Sequence, residues 1–170
     1  MAPLVRRTWA PRGQTPILLH RGRWHKKVSA IAALTVPPSR RRVGLYFSLL
    51  SDANFTARRV VQFLRDLRLQ LQKPLLIVWD RSQTHKAKLV DRFFKRNSKL
   101  HRDFLPPYAP DLNPVEMLWG HLKGNPLANF APTDSKALAY KTRYHATRLR
   151  RRKDLLRSFL YATPLFSRPI

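Results

Sequence analysis

The first half of the chain alternates between short apolar runs and polar breaks before a helical period sets in. The segments Lys27 to Thr35 and Val43 to Leu50 are short and apolar, as is typical of strands, and the prolines and basic residues between them predict a turn. From Val60 to Leu71 the apolar residues recur at helical spacing. We expect Asn54 to cap this helix and Pro74 to end it.

The next third of the chain predicts a strand, a helix and a further strand. The run LLIVW, Leu75 to Trp79, is compact and apolar, which is typical of a strand buried on both faces. Ser82 or Thr84 is a suitable cap for a helix that carries apolar residues from Leu89 to Phe94. The segment Leu100 to Leu105 predicts another strand, more weakly.

The remaining elements are predicted to be helices. The pair Asn113-Pro114 is typical of a helix start, and that helix should run to about Lys123. Thr133 or Asp134 should open the last helical region. The predicted order β-β-α-β-α-β-α-α indicates an α/β layered fold.

The amino-acid composition indicates which class of molecule the protein binds. The chain has 170 residues, 34 Lys+Arg against 9 Asp+Glu, a net charge of +25 and no cysteine. A charge of that size is self-repulsive unless a polyanion screens it, and nucleic acid is the commonest such partner. No apolar stretch approaches the ~18 residues of a membrane span, and no secretory signal is visible, so we expect a cytoplasmic protein and no membrane partner.

Two acidic residues stand out as candidates for chemistry. Asp80 directly follows the LLIVW run, and the carboxyl ends of strands in open α/β sheets are where ligands bind. Glu116 is the only glutamate in the chain. Each has a structural alternative: Asp80 could simply begin the turn after the strand, and Glu116 falls at the capping-box position of the helix opened by Asn113.

Three stretches around these residues resemble the mariner-type transposases, in particular their bacterial insertion-sequence branch. They are RRTWAPRGQTP (Arg6 to Pro16), LLIVWDRSQTHKAK (Leu75 to Lys88) and LPPYAPDLNPVEMLWGHLK (Leu105 to Lys123). The resemblance implies a DDE superfamily endonuclease with an RNase H-like mixed sheet flanked by helices. It implies that Asp80 is the second catalytic aspartate and Glu116 the catalytic glutamate, both ligands of Mg²⁺ (or Mn²⁺). Carboxylates suit this role because Mg²⁺ prefers oxygen donors and retains several waters.

The chain departs from the family pattern at the first aspartate. That residue belongs to the first strand, upstream of the TWAPRGQTP stretch, and none of residues 1–8 is acidic. Asp66 falls within the predicted helix, and Asp52 follows what the family order makes an edge strand, about 14 Å from the Asp80 strand at ~4.8 Å per strand. We therefore expect neither to substitute, and expect the first, interior strand of the sheet to be lacking.

The resemblance accordingly implies the C-terminal portion of a transposase. We expect a truncated catalytic domain over 1–130 and a basic helical region over 131–170, packed on it or extending it. The intact relative would cleave element ends and join them to target DNA, whereas this chain alone is expected to be inactive. The alternatives are a basic DNA-binding remnant that interferes with intact transposase by co-assembly, or, less favoured, an RNA-binding protein.

Several other residues are candidates for contacts with DNA phosphates. The run RLRRRK is the densest basic segment, although a solvated helix face would explain it equally well. His85 could orient substrate, but we favour a structural role at a helix start. We expect Trp24, Trp79 and Trp119 to be core residues, and we assign no metal to His20 or His25. The residues predicted to contact nucleic acid are Lys86, Lys123, Arg148, Arg150, Arg151, Arg152 and Lys153.

Overall fold

A computed structural model describes residues 4–15, 17, 27–39 and 42–166. Pro16, His20, Trp24 and His25, which figured in the sequence analysis, lie outside the described residues. The elements are β1 (Val28–Thr35), β2 (Gly44–Ser51), α1 (Ala57–Leu71), β3 (Leu75–Trp79), α2 (Lys88–Lys95), β4 (Leu100–Phe104), a 3-10 turn (Pro110–Leu112), α3 (Pro114–Gly124), α4 (Ser135–Arg151) and α5 (Lys153–Tyr161). The predicted order of strands and helices is confirmed as far as α4, but the last helical region consists of two helices, α4 and α5, separated at Arg152.

The strands form two separate pairs. β1 and β2 are antiparallel, with Val28 opposite Ser51 and Thr35 opposite Gly44. A side chain at Gly44 would lie too close to the Thr35 hydroxyl oxygen, so Thr35 would have to turn aside to accommodate it. β3 and β4 are parallel and form a second sheet. Within the described ranges no strand joins the two sheets.

Each sheet has its own hydrophobic core. The side chains of α1 and α2 pack with those of β3 and β4, around Val60, Trp79 and Val90. The other core lies where α3, α4 and α5 meet β2, around Leu45 and Leu122. A smaller cluster lies between α4 and the β1–β2 sheet, and Ile31 of β1 packs against the first core.

Three local predictions were wrong: two concern the caps of α1 and α2, and the third concerns the burial of β3. Thr56 caps α1 in place of Asn54, its side chain accepting from the Arg59 N–H. α2 begins at Lys88 after Ala87, without a side-chain cap. Ser82 and Thr84 hydrogen-bond to each other at 3.0 Å, which holds them in the preceding turn instead of at a helix start.

The third concerns β3, which is not buried on both faces. Leu76 is 64% exposed and Val78 46% exposed, whereas Trp79 is buried. The reason is that α1 and α2 cover one face, and no other described element packs on the face carrying Leu76 and Val78.

The predicted helix ends and starts hold elsewhere. α1 ends at Leu71, before Pro74, with Gln72 in the left-handed conformation at φ 50°. Asn113 caps α3 and Asp134 caps α4. The proposed division at residue 130 remains a prediction, and α4 packs on β2 across it. None of the helices in the described ranges is both long and apolar enough to cross a bilayer.

Candidate active site

The carboxyl ends of β3 and β4 meet at one edge of their sheet. Trp79 is the register partner of Phe104. The Leu105 N–H continues the ladder by donating to the Trp79 carbonyl oxygen at 2.8 Å. Asp80 and Leu105 therefore leave the sheet side by side, and the proline-rich segment that leads to α3 starts from this point.

Asp80 is oriented by its own loop. Its Oδ1 accepts a hydrogen bond from the Ser82 N–H at 2.9 Å and lies 2.8 Å from Nδ1 of His85. Its Oδ2 has no hydrogen bond to any residue in the described part of the chain, and 58% of the side chain is exposed. The prediction that Asp80 begins the turn after the strand is therefore correct for Oδ1, which stabilises that turn. This leaves one oxygen available to a ligand.

His85 has a larger part in this loop than the sequence indicated. Its ring stacks on Trp79 with centroids 4.3 Å apart and planes inclined by 4°. It precedes α2 and does not begin it, so its predicted place at a helix start is wrong. The spacing of five residues from Asp80 was the available signal, but spacing alone does not show that the loop turns back on itself.

Arg81 is a residue that the sequence analysis missed. Its Nε donates to the Leu105 carbonyl oxygen at 3.1 Å. This bond ties the loop after β3 to the exit of β4, so it fixes the loop that carries Asp80 against the segment that leads to Glu116. An arginine among 34 basic residues gives no sequence signal of such a role.

Glu116 lies in the first turn of α3 but does not form a capping box. The Asn113 side chain accepts from the Val115 N–H at 3.1 Å. The Asn113 N–H, which a capping-box glutamate would bind, donates to the Pro110 carbonyl oxygen at 2.9 Å. Glu116 is exposed, and its carboxylate has no hydrogen bond or ion pair within the described residues. The capping alternative therefore does not account for this glutamate.

The described residues contain no group of three Asp, Glu, His or Cys side chains that could hold a metal ion. The two rejected substitutes have structural roles. Asp52 has a positive φ of 55°, and its Oδ2 accepts from the Ser135 hydroxyl at 2.6 Å. Asp66 lies in α1 and accepts from Gln62 at 2.9 Å. The assignment of Asp80 and Glu116 as a pair of metal ligands stays a prediction.

The predicted nucleic-acid contacts are exposed, but two of them have local partners. Arg148 donates to the Tyr144 hydroxyl at 2.7 Å, and Arg150 lies over the Tyr46 ring at 5.6 Å. Such stacking holds the guanidinium groups in place while leaving their charge near the surface. The exposed members of the predicted set are Lys86, Lys123, Arg148, Arg150, Arg151, Arg152 and Lys153.

Burial and the charge of the basic run both affect the pKa of a nearby histidine, His121. Burial lowers the pKa of His121 below its usual value, and the charge of Arg152 lowers it further. Its Nδ1 lies 3.2 Å from the Asn125 amide nitrogen, which suits a neutral ring accepting a hydrogen bond there. The pKa of His145 is also lowered, by burial and then by Lys141 and Arg148.

The protein is a mixed α/β domain. The oriented carboxylate of Asp80 directly follows β3, which is parallel to β4. Residues 2–139 match the family model described as DDE superfamily endonuclease. The chain belongs to that family. A comparison with curated protein sequences finds no significant match.

Solved structures of the Mos1 transposase share the fold. The Mos1 strand transfer complex aligns with a TM-score of 0.55 at 17% identity, covering 92% of this chain and 50% of that chain. The Mos1 transposase paired-end complex with left transposon end gives a TM-score of 0.56 at 17% identity, covering 96% of this chain and 52% of that one. The chain thus spans about half the length of these Mos1 chains.

Proposed function

We propose that this chain is the C-terminal portion of an insertion-sequence transposase, an endonuclease that cleaves DNA strands and joins them to a target duplex. The observation that carries the proposal is the family match over residues 2–139, which includes both Asp80 and Glu116. The net charge of +25 supports DNA as the partner. The shared fold with Mos1, whose solved complexes include a paired-end complex with a transposon end, supports the same partner. The proposed location is the cytoplasm, at the nucleoid.

Asp80 and Glu116 would hold Mg²⁺ or Mn²⁺. The donor set fits such an ion, since Asp80 Oδ2 and the Glu116 carboxylate are hard oxygen donors without a protein partner among the described residues. A bound pair of divalent cations would supply activation of the attacking oxygen and stabilisation of the leaving oxygen. The role of His85, Ser82 and Arg81 would be to orient Asp80 before the metal binds.

A third carboxylate would come from a strand that is not part of these 170 residues. In the family order that strand lies between β1 and β3, which belong to separate sheets here. Its insertion would pair both strands and bring the first aspartate beside Asp80. We therefore propose that the chain by itself binds DNA but does not cut it.

A nicking assay on supercoiled DNA tests this proposal. The 170-residue chain should leave the DNA intact in Mg²⁺, whereas a protein extended by an upstream strand bearing an aspartate should nick it. Asp80→Ala and Glu116→Ala in the extended protein should abolish nicking and leave DNA binding largely unchanged. Asp103→Ala, a change of the same kind at an exposed position on β4, is the matched control. Nicking by the chain alone that survives Glu116→Ala would contradict the assignment.

A second candidate function is a non-catalytic DNA-binding protein that interferes with intact transposase by co-assembly. The exposed basic residues Arg148, Arg150 and Arg151 at the end of α4 favour it, since contacts with phosphates need no catalytic residue. The two candidates differ in one measurement, because a remnant that has lost catalysis would not gain nicking activity from the added strand. Inhibition of an intact relative by the unextended chain would support co-assembly.

A further inference from the structure

A groove of about 390 Å³ runs between α1 and α2. Both helices pack on the same face of the β3–β4 sheet, and the groove opens on their outer side. Residues from α1, from α2 and from the two positions that follow α2 line it. They are Val61, Arg65, Arg68, Leu69, Leu89, Arg92, Phe93, Arg96 and Asn97.

Four of these residues are arginines, and none of them has an acidic partner among the described residues. The ion pairs among the described residues involve Asp80, Asp91 and Asp154, and none of these three carboxylates pairs with an arginine of the groove. Arg68 donates to the side chain of Asn97, and Arg65 lies over the Phe93 ring at 5.9 Å. Four guanidinium groups around one groove without a counter-charge create a site for an anionic ligand.

The rest of the lining is apolar and partly exposed. Leu69 is 64% exposed and Leu89 37% exposed, one on each wall, while Val61 and Phe93 are buried beneath them. A DNA backbone offers phosphates to arginine but no aliphatic surface to two leucines. Base stacking needs an open aromatic face, and Phe93 is only 9% exposed and lies under Arg65. The lining therefore suits a ligand with both carboxylates and apolar side chains.

One end of the groove, at Arg68 and Asn97, is remote from Asp80 along the sheet. Asn97 and Arg68 lie where α2 and α1 end, next to the amino ends of β4 and β3, and the Leu75 N–H donates to the Lys99 carbonyl oxygen there. Asp80 follows the carboxyl end of β3, so the five residues of that strand, at ~3.3 Å each, separate the two by about 16 Å. A ligand held at Arg68 and Asn97 is therefore far from Asp80, whereas Leu89 lies in the first turn of α2, towards the Asp80 loop.

We propose that this groove binds an acidic amphipathic segment of a partner protein. Its carboxylates would pair with Arg65, Arg68, Arg92 and Arg96, and its apolar face would cover Leu69 and Leu89, in the manner of a helix laid into a groove. A second copy of this chain does not supply such a segment. Its nine acidic residues are so dispersed that the closest two, Asp111 and Glu116, are five positions apart.

The test is a fluorescence-anisotropy titration with a labelled synthetic peptide that forms an amphipathic helix. Its leucines lie on one face of the helix and its glutamates lie beside them. The peptide should bind, and a scrambled peptide of the same composition should bind more weakly. Arg65→Ala/Arg92→Ala should lower the peptide affinity by about tenfold or more, because it removes two charge-assisted pairs. Leu69→Ala should lower it by about threefold through the lost apolar contact.

Matched controls separate the groove from the general charge of the protein. Arg59→Ala/Lys95→Ala removes two charges from the same two helices outside the groove and should change the peptide affinity by less than about twofold. Circular dichroism of each variant verifies that the helices are intact. Labelled duplex DNA is titrated in parallel, and its affinity should not respond to Leu69→Ala.

Two results would overturn the proposal. One is a peptide that fails to bind, or whose affinity the Arg65/Arg92 and Leu69 variants leave unchanged. The other is duplex DNA that loses affinity in the Arg65/Arg92 variant as strongly as the peptide does, with Leu69→Ala having no effect on either ligand. The groove would then be a phosphate site and not a protein-docking site.

Discussion

The Nδ1 atom of His85 lies 2.8 Å from Oδ1 of Asp80, while the same imidazole ring stacks on Trp79 at 4.3 Å. Trp79 is the last residue of β3 and Asp80 the first residue beyond it, so the histidine returns to the strand end that it follows. The His85 side chain is only 16% exposed, so the surrounding atoms leave the stacked ring little room to move. The orientation of the Asp80 carboxylate is therefore coupled to the packing of the β3–β4 core.

Replacing His85 should separate these two interactions. His85→Phe keeps a ring on Trp79 but loses the hydrogen bond, and should lower the free energy of unfolding by about 1 kcal/mol. His85→Ala also loses the stacked ring and should cost about 1 kcal/mol more. Urea denaturation measures both. Equal losses in the two variants would show that the ring contributes nothing beyond its hydrogen bond.

The start of α3 provides a test of the role of Glu116. Asn113→Ala removes the side-chain cap on the Val115 N–H and should lower the free energy of unfolding by about 1 kcal/mol. Glu116→Ala loses only a favourable charge near a helix start, about 0.5 kcal/mol, and that loss should shrink in high salt. Thermal denaturation at low and high salt distinguishes them. A salt-independent loss in Glu116→Ala, as large as that in Asn113→Ala, would restore the capping interpretation.

Binding to duplex DNA should be strong, steeply salt-dependent and without marked sequence preference. Log affinity should fall linearly with log salt, because each neutralised phosphate releases counterions. Arg151→Ala/Lys153→Ala should reduce the slope by about 1.8 if both residues contact phosphates. Lys73→Ala/Lys99→Ala, at the amino ends of β3 and β4, is a control of equal charge that should leave the slope nearly unchanged. Salt-insensitive binding, or tight selection of one sequence, would be incompatible with this expectation.

The pKa of His121 gives a prediction for stability against pH. Burial, followed by the charge of Arg152, lowers this pKa below its ordinary value of 6.5, so the unfolded chain takes up a proton at a higher pH than the folded chain does. The stabilising contribution is therefore present above pH 6.5 and is lost as the pH falls through the folded-state pKa. His121→Gln should weaken this dependence in denaturation curves recorded at several pH values.

A ring-proton NMR titration tests the causes directly. Arg152→Ala should raise the pKa of His121 only part of the way to its ordinary value, because burial is the larger cause. Full restoration in that variant would contradict the order of the causes. His145, whose pKa is lowered by burial, Lys141 and Arg148, should be unaffected and serves as an internal control.

Patterns of local spacing were sufficient to predict most of the fold. The strand Leu75–Trp79 and the caps Asn113 and Asp134 follow from residue types within a few positions of each other, and the structure has all of them. The caps of α1 and α2 were wrong because Asn, Ser and Thr can stabilise a turn as readily as a helix start. Which of these forms depends on neighbours such as Asp80, to which the Ser82 N–H donates.

The candidate site was only partly predictable for a different reason. Asp80 and Glu116 were found because rare acidic residues stand out in a basic chain and because their surroundings resemble a family. Arg81 was missed because its partner, the Leu105 carbonyl oxygen, lies 24 positions away and belongs to the backbone. The exposure of Leu76 and Val78 was missed because an apolar pair does not reveal whether a second layer covers it.

The unpaired edge of β3 has a consequence for how this protein behaves in concentrated solution. The strand presents Leu76 and Val78 to solvent, and within the described ranges it has only β4 as a neighbour. Exposed strands of this kind template intermolecular pairing, and a net charge of +25 opposes it by keeping molecules apart. Added salt removes that repulsion while leaving the apolar strand exposed. Salt should therefore promote turbidity, whereas an excess of polyanion, which reverses the net charge and so restores repulsion between molecules, should keep the protein dispersed.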